Sequence, residues 1–208
     1  MLYQCDRNVD GELLSIWEMN ESVEDLFALF PEKGGLYRDE LAHYRSSKRK
    51  QEYLSVRALL LHALGHEGVV SHDEKGKPYL PEENQLHISI SHTKGYAAIF
   101  VSPHREVGLD VEQFSDKIFH VKDKFLSLEE KQIIDSTDRT QLLLCWSAKE
   151  AVYKLYEGLK PEYWEQITLK KLDMDQCVML AEVEDRPPVT LRFRVFPDFV
   201  MVHNLFIA

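Results

Sequence analysis

Residues 86–102, LHISISHTKGYAAIFVS, constrain the fold more than any other stretch. LHISISH alternates apolar and polar residues, YAAIFVS follows, and only Thr-Lys-Gly intervenes, so the two read as strands of one hairpin. A hairpin with an apolar face needs a second layer to cover it. Helical patterns are available on both sides. One spans 38–64, with apolar residues recurring at 53, 54, 56, 59, 60, 61 and 64 and Gly65 as its stop. The other spans 140–158 and ends near Gly158. FLSLEEKQIIDS (125–136) also reads as a helix, and residues 1–30 as a short strand followed by a Glu- and Leu-rich helix. The stretch 72–81, with Gly76 and two prolines, is a turn or loop, and VGLDVEQF (107–114) is a third short strand. ITLKKLDM, CVMLAEVE, VTLRFRVF and FVMVHNLFIA complete the chain as strands. Helix, strands, helices, strands is the order of an α+β fold with mainly antiparallel sheets. A faint echo links ISISHTKGYAAIFVS with LRFRVFPDFVMVHN, each a strand, a turn and a strand.

Charge and cysteine usage exclude several classes. The net charge of −10 over 208 residues speaks against a general nucleic-acid binder, which needs a broad positive field. It leaves room for a small anion held in a local basic pocket, and Arg45, Lys48, Arg49, Lys50 and Arg57 fall close together. No apolar run approaches the roughly 18 residues a membrane span requires, and the first residues carry acids rather than a secretory signal. Cys5, Cys145 and Cys177 are odd in number and widely spaced, which argues against a disulfide framework or a structural zinc site. The expected setting is a reducing cytoplasm, without membrane or nucleic-acid partners.

Three short stretches carry candidate chemistry. In Asp110-Val111-Glu112 the two acids would share one face of a strand. Close carboxylates repel unless a cation or a proton intervenes, and hard oxygen ligands suit magnesium, although both acids could simply face water. In WSAKEAVYK (146–154), Trp146, Lys149, Glu150, Tyr153 and Lys154 lie at helical spacings of three and four. Glu150 and Lys154 could equally be an ordinary surface ion pair. His92 ends a strand beside Ser89 and Ser91, where it could donate to a phosphate or serve structure alone. Gly76-Lys77-Pro78 suits backbone approach to a ligand and also suits a plain turn.

Taken in order, GKPYL, SISHTKGYAAIFVS, VGLDVEQF and WSAKEAVYK resemble the 4′-phosphopantetheinyl transferases of the surfactin-synthetase-activator type. Thr93 stands where the family more often has Ser, and Leu109 where it has a β-branched residue. SVRALLLHALG and FLSLEE are similar to further family segments, so the resemblance covers about residues 43–157. It implies transfer of 4′-phosphopantetheine from coenzyme A, the substrate, to a serine of an acyl, peptidyl or aryl carrier protein, releasing adenosine 3′,5′-bisphosphate. It further implies that Asp110, Glu112 and Glu150 bind Mg²⁺, with Glu112 the ligand most readily replaced by water. Lys154 and His92 would contact the diphosphate, and Arg57, Lys77 and Ser91 would bind elsewhere on coenzyme A. Glu150 is the implied base for the acceptor serine, with Lys154 as the other candidate. The implied fold is a pseudo-dimer of two similar α+β halves, 1–108 and 109–208, with the active site in the cleft between them and a monomer sufficient for activity. An acidic carrier would need local basic or apolar docking surface, for which Arg45 to Lys50 is a candidate. The rival expectation is a coenzyme A- or carrier-binding module without transfer activity.

Overall fold

Antiparallel hairpins build the sheets of this protein. The computed structural model describes residues 1–156, 159 and 163–205, and the chain divides into two compact units, Met1–Glu106 and Val107–Ala208. In the first, β1 (Leu2–Arg7) and β2 (Leu13–Glu18) form a hairpin, followed by α1 (Val23–Phe27), α2 (Gly34–Leu41) and α3 (Ser47–Leu64). The two-residue strands β3 (Ser71–His72) and β4 (Pro78–Tyr79) pair with each other. The hairpin expected at 86–102 is present as β5 (His87–Thr93) and β6 (Tyr96–Ser102), turning at Gly95 with φ +85°. The sheet order is β1-β2-β6-β5, every pair antiparallel.

Helix α3 has two jobs in the packing. Val56, Leu59 and Leu60 pack with Leu13, Ile88, Ala97, Ile99 and Val101 of the sheet. Leu54 and Ala58 pack with Leu26, Phe30, Tyr37 and Leu41 of α1, α2 and the chain between them. Residues 54–60 are all buried, which is the mark of a helix covered on more than one side.

The second unit runs β7 (Leu109–Gln113), α4 (Ile118–Phe125), a 3₁₀ turn (Glu130–Gln132), α5 (Arg139–Leu155), α6 (Tyr163–Gln166), β8 (Ile167–Asp173), β9 (Val178–Val183), β10 (Arg186–Val195) and β11 (Phe199–Asn204). Its sheet has the order β7-β11-β10-β9-β8, again antiparallel throughout. α5 lies on this sheet and contributes Leu142, Leu144, Cys145, Ala148, Ala151 and Val152 to the core, all of them inaccessible to solvent. The α+β class with mainly antiparallel sheets is therefore as the sequence indicates.

Three of the expected elements turn out differently, each with a physical reason, and α4 and α6 are helices that the sequence reading does not anticipate. Leu13–Glu18 is a strand rather than part of a helix. It sits between β1 and β6 with Leu13 to Ile16 buried, and a strand covered on both faces shows no alternation to read. The helix expected over 38–64 is two helices. Ser46 takes extended backbone and its side chain accepts from the Arg49 amide, so α3 begins afresh there. The helix expected over 125–136 is also absent. α4 ends at Phe125, Leu126 is extended, and the following segment wraps around the buried Glu130 carboxylate, which accepts from the amides of Ser127 (2.9 Å) and Leu169 (2.8 Å). The helix at 140–158 is α5, capped by Asp138 at its start and ending at Leu155; Gly158 lies outside the described residues, as do the last three residues of FVMVHNLFIA.

One buried cluster ties the β1–β2 loop to the end of β6. Glu12 accepts from Arg105 Nε (2.7 Å), Ser102 Oγ (3.0 Å) and Asn8 Nδ2 (3.0 Å). Burial alone would raise the Glu12 pKa, but these donors and the Arg105 charge outweigh it and hold the carboxyl below its usual range. A depressed carboxyl stabilises the fold above its unfolded pKa and loses that contribution as pH falls through the lower folded value. Glu12→Gln should therefore cost about 3 kcal/mol in urea unfolding at pH 7, because Arg105 loses its buried partner. The difference from the wild type should narrow as pH falls through the depressed folded pKa of Glu12, below the usual carboxylate range, where that side chain becomes neutral too.

Candidate active site

The site begins with a glycine. Gly108 precedes β7, and a Cβ placed there would lie 2.0 Å from the Ala151 carbonyl oxygen and 3.0 Å from Leu155 Cβ. Only a residue without a side chain lets α5 come this close to the start of β7. The Gly108 amide donates to Asn204 Oδ1 (2.9 Å), and its carbonyl accepts from the Asn204 amide (3.1 Å), which fixes the strand entrance against β11. β7 then runs antiparallel to β11, Asp110 opposite Val202 and Glu112 opposite Val200.

With the helix this close, side chains of α5 reach those of β7. Lys154 Nζ donates to Asp110 Oδ1 (2.8 Å) and to the Leu109 carbonyl (3.0 Å). Asp110 is buried, whereas Glu112 and Glu150 are half-buried. Burial pushes the Glu112 carboxyl up to about 7, and the negative charges of Asp110 and Glu150 push in the same direction. A Trp146 hydrogen bond and the Lys154 ammonium oppose that rise. The three acids therefore feel one another in a poorly solvated place, with one ammonium against them.

That donor set fits a hard divalent cation. All three groups are carboxylates, and part of the upward displacement of Glu112, after that due to burial, comes from the charges of Asp110 and Glu150, which a cation would offset. Among the described residues, no three His, Cys, Asp or Glu side chains are already drawn into a ready ligand set.

Lys149, beside Glu150, faces the opposite way. Its ammonium is 3% exposed and donates to Glu130, Phe125 O (2.8 Å) and Trp164 O (2.9 Å). Glu130 is wholly buried and shares its oxygens with Lys149 and the two amides named above. A buried pair with every donor used is a pin, not a reagent. The nearby Cys145 thiol is pushed up to about 12 by burial, with Glu130 adding to the rise, so it offers no nucleophile.

The sequence-predicted residues of the first unit are arranged separately. Lys77 closes a turn in which Asp73 Oδ1 accepts from the Lys75 and Lys77 amides at 2.8 Å each, and its ammonium meets Glu106 at 2.5 Å. Gly76 has φ +84° in that turn, as the Gly-Lys-Pro reading anticipates. Ser91 is buried, and His92 is exposed at the end of β5, with Nδ1 3.9 Å from Glu52. Arg57 is only 5% exposed. Its guanidinium lies 3.4 Å from the centroid of the Tyr53 ring and 3.7 Å from Glu40. Burial pulls its pKa down, against the pull of Tyr53 and Glu40.

Sequence reasoning passes over four residues that shape these surroundings: Glu52, Asp73, Glu106 and Glu130. Asp73 is legible as a carboxylate before a Gly-Lys turn, and Glu52 as the i+4 partner of Lys48. Glu106 and Glu130 act on residues distant in sequence, and no local pattern announces them.

Part of the chain is similar to known proteins. Residues 106–195 match the family model described as the 4′-phosphopantetheinyl transferase superfamily. The chain is 30% identical over 116 residues to a protein named 4′-phosphopantetheinyl transferase AcpT from Escherichia coli O157:H7, covering 53% of this chain and 60% of the relative. It is 32% identical over 141 residues to enterobactin synthase component D of Salmonella typhi, covering 64% of this chain and 56% of that protein. The chain thus spans less than two thirds of the length of the curated relatives it matches.

Two stability measurements check the framework. Gly108→Ala should lower stability by about 3 kcal/mol or more in chemical unfolding, because the added methyl meets backbone of α5 that cannot rotate away. Lys149→Met should cost about 3–5 kcal/mol by stranding the buried Glu130 carboxylate. Lys149→Met with Glu130→Leu should recover part of that loss, since two apolar side chains leave no uncompensated charge, although the two amides lose their acceptor.

Proposed function

We propose that this protein transfers the 4′-phosphopantetheine group of coenzyme A to a serine hydroxyl of a carrier protein, in a magnesium-dependent reaction. The observation that carries the reading is the contact of Lys154 Nζ on α5 with Asp110 Oδ1 on β7 at 2.8 Å, beside Glu112, whose carboxyl feels the charges of Asp110 and Glu150. The likeness of residues 106–195 to phosphopantetheinyl transferases supports it. The names of the relatives, a phosphopantetheinyl transferase and a synthase component, point the same way.

Asp110, Glu112 and Glu150 would hold Mg²⁺, whose contribution is to neutralise the diphosphate so that its leaving phosphate departs. The chain's own groups do the rest. The Lys154 ammonium, already anchored on Asp110, stands ready to meet phosphoryl charge. Glu150, on the same helix face one turn before Lys154, would take the proton of the acceptor serine, which is not nucleophilic while it carries it, with Lys154 as the other candidate base. His92, Lys77 and Ser91 from the first unit would bind coenzyme A, with Arg57 supporting that surface from within. The two halves, 1–108 and 109–208, would act as a pseudo-dimer around the substrate, and the hairpins β5–β6 and β10–β11 account for the echo between their sequences. One copy of the chain would suffice, in the cytoplasm.

Intact-mass spectrometry of apo carrier proteins incubated with the protein, coenzyme A and Mg²⁺ tests this. The carrier should gain roughly 340 Da, the mass of the transferred group, and EDTA or Asp110→Ala should abolish the gain. Coenzyme A binding without any gain across a broad carrier panel would replace the transferase reading with a binding module.

A further inference from the structure

We infer that Asn204 is a positioning residue: its side chain draws the entrance of β7 toward α5 and so sets how Asp110 meets Lys154. The inference rests on the transferase reading above for the cation that the site would hold. Asn204 is the last residue of β11 and is 5% exposed. Facing residues in a hydrogen-bonded antiparallel pair exchange two main-chain bonds, each amide donating to the other's carbonyl. At this pair one of the two is rerouted. The Asn204 amide donates to the Gly108 carbonyl at 3.1 Å, but the Gly108 amide donates to Asn204 Oδ1, a side-chain oxygen, at 2.9 Å. The Asn204 carbonyl lies 3.2 Å from His203 Nδ1 instead.

The side of the sheet on which Oδ1 stands gives the detour its sense. Val200 and Val202 of β11 belong to the core cluster that α5 builds, and strand alternation puts Asn204 on that same face. A main-chain acceptor would lie in the plane of the sheet. The side-chain oxygen stands out of that plane, toward the helix, and the Gly108 amide follows it. Gly108 then comes so near α5 that a Cβ would meet the Ala151 carbonyl oxygen at 2.0 Å. The next two residues inherit this placement. Lys154 Nζ donates to the Leu109 carbonyl at 3.0 Å and to Asp110 Oδ1 at 2.8 Å, so both of its acceptors lie within two residues of the anchor.

An asparagine that only satisfied a buried amide would act on folding alone and leave the affinity for a cation untouched. A positioning residue does more, because groups that orient a metal ligand from behind change metal affinity when they are lost. No local pattern reveals this one, which lies 96 residues from Gly108 in sequence.

The test is titration with Mn²⁺, a divalent ion that takes carboxylate ligands, with the free ion counted by electron paramagnetic resonance. Asn204→Ala should weaken Mn²⁺ binding about tenfold relative to the wild type, and the Mg²⁺ concentration for half-maximal transfer should rise by a similar factor. Hydrogen exchange at the Gly108 amide should quicken in the same variant. Val189→Ala trims the same core from β10, which does not pair with β7, and should lose stability while keeping wild-type Mn²⁺ affinity. If Asn204→Ala does not fold, Asn204→Gln decides: it keeps the amide, moves its oxygen by one methylene, and should show the same weakening. Wild-type Mn²⁺ affinity in either folded variant would overturn the inference and leave the transferase reading intact. Equal weakening by Val189→Ala would also overturn it, because the effect would then follow stability. Wild-type protein that binds no Mn²⁺ would overturn it as well. Cation binding that depends on Asn204, in a protein that modifies no carrier, would uphold the inference and remove the transferase reading.

Discussion

The close approach of α5 to β7 at Gly108 is the contact on which the meeting of Lys154 with Asp110 depends. A methyl group there would meet the Ala151 carbonyl at 2.0 Å. Move the helix out by even the width of that methyl and Lys154 no longer reaches both Asp110 and the Leu109 carbonyl. The site is therefore defined first by an absent side chain. Asn204 completes the arrangement by bonding both polar groups of the Gly108 backbone, so the strand cannot drift to relieve the crowding.

A second constraint holds the helix from its other side. Lys149 and Glu130 cost desolvation energy that neither would repay alone, and they survive because Phe125 O, Trp164 O and the amides of Ser127 and Leu169 complete their bonding. The pair stops α5 from rotating about its axis. Rotation by one residue, about 100°, would exchange Lys149 with Glu150 and bury the wrong charge. The identity of the acid on the other face, Glu150, is thus set by the buried base beside it.

Much of this is legible in the sequence, and the exceptions have reasons. The β5–β6 hairpin shows because one of its strands alternates and its turn is short. β7 and the strands of the second half show for similar reasons. β2 is hidden because burial on both faces removes alternation, and the 125–136 segment because its organiser, Glu130, is satisfied by Lys149 and Leu169 from elsewhere in the chain. Among candidate site residues, local rules put Asp110 and Glu112 on one strand face and Glu150 and Lys154 on one helix face, but those spacings equally fit solvated faces, and it is the resemblance that singles the four out. For Arg57, nothing in its neighbours reveals that its guanidinium lies against Tyr53 inside the first unit. Long-range partners such as Glu52 for His92 and Glu106 for Lys77 require the fold before they can be seen.

Helix α3 carries a consequence for how this chain can evolve. From residue 54 to residue 60 every position is buried between the sheet and the α1–α2 layer, so nearly any replacement there is felt as lost packing. The solvent-facing positions of its first turn, 47 to 49, are under no such pressure from the core. Drift in this helix is channelled into the same few residues that present charge to the outside. Lineages of this fold can then change the charge carried there without disturbing the scaffold, and the first turn of α3 is where such divergence should accumulate.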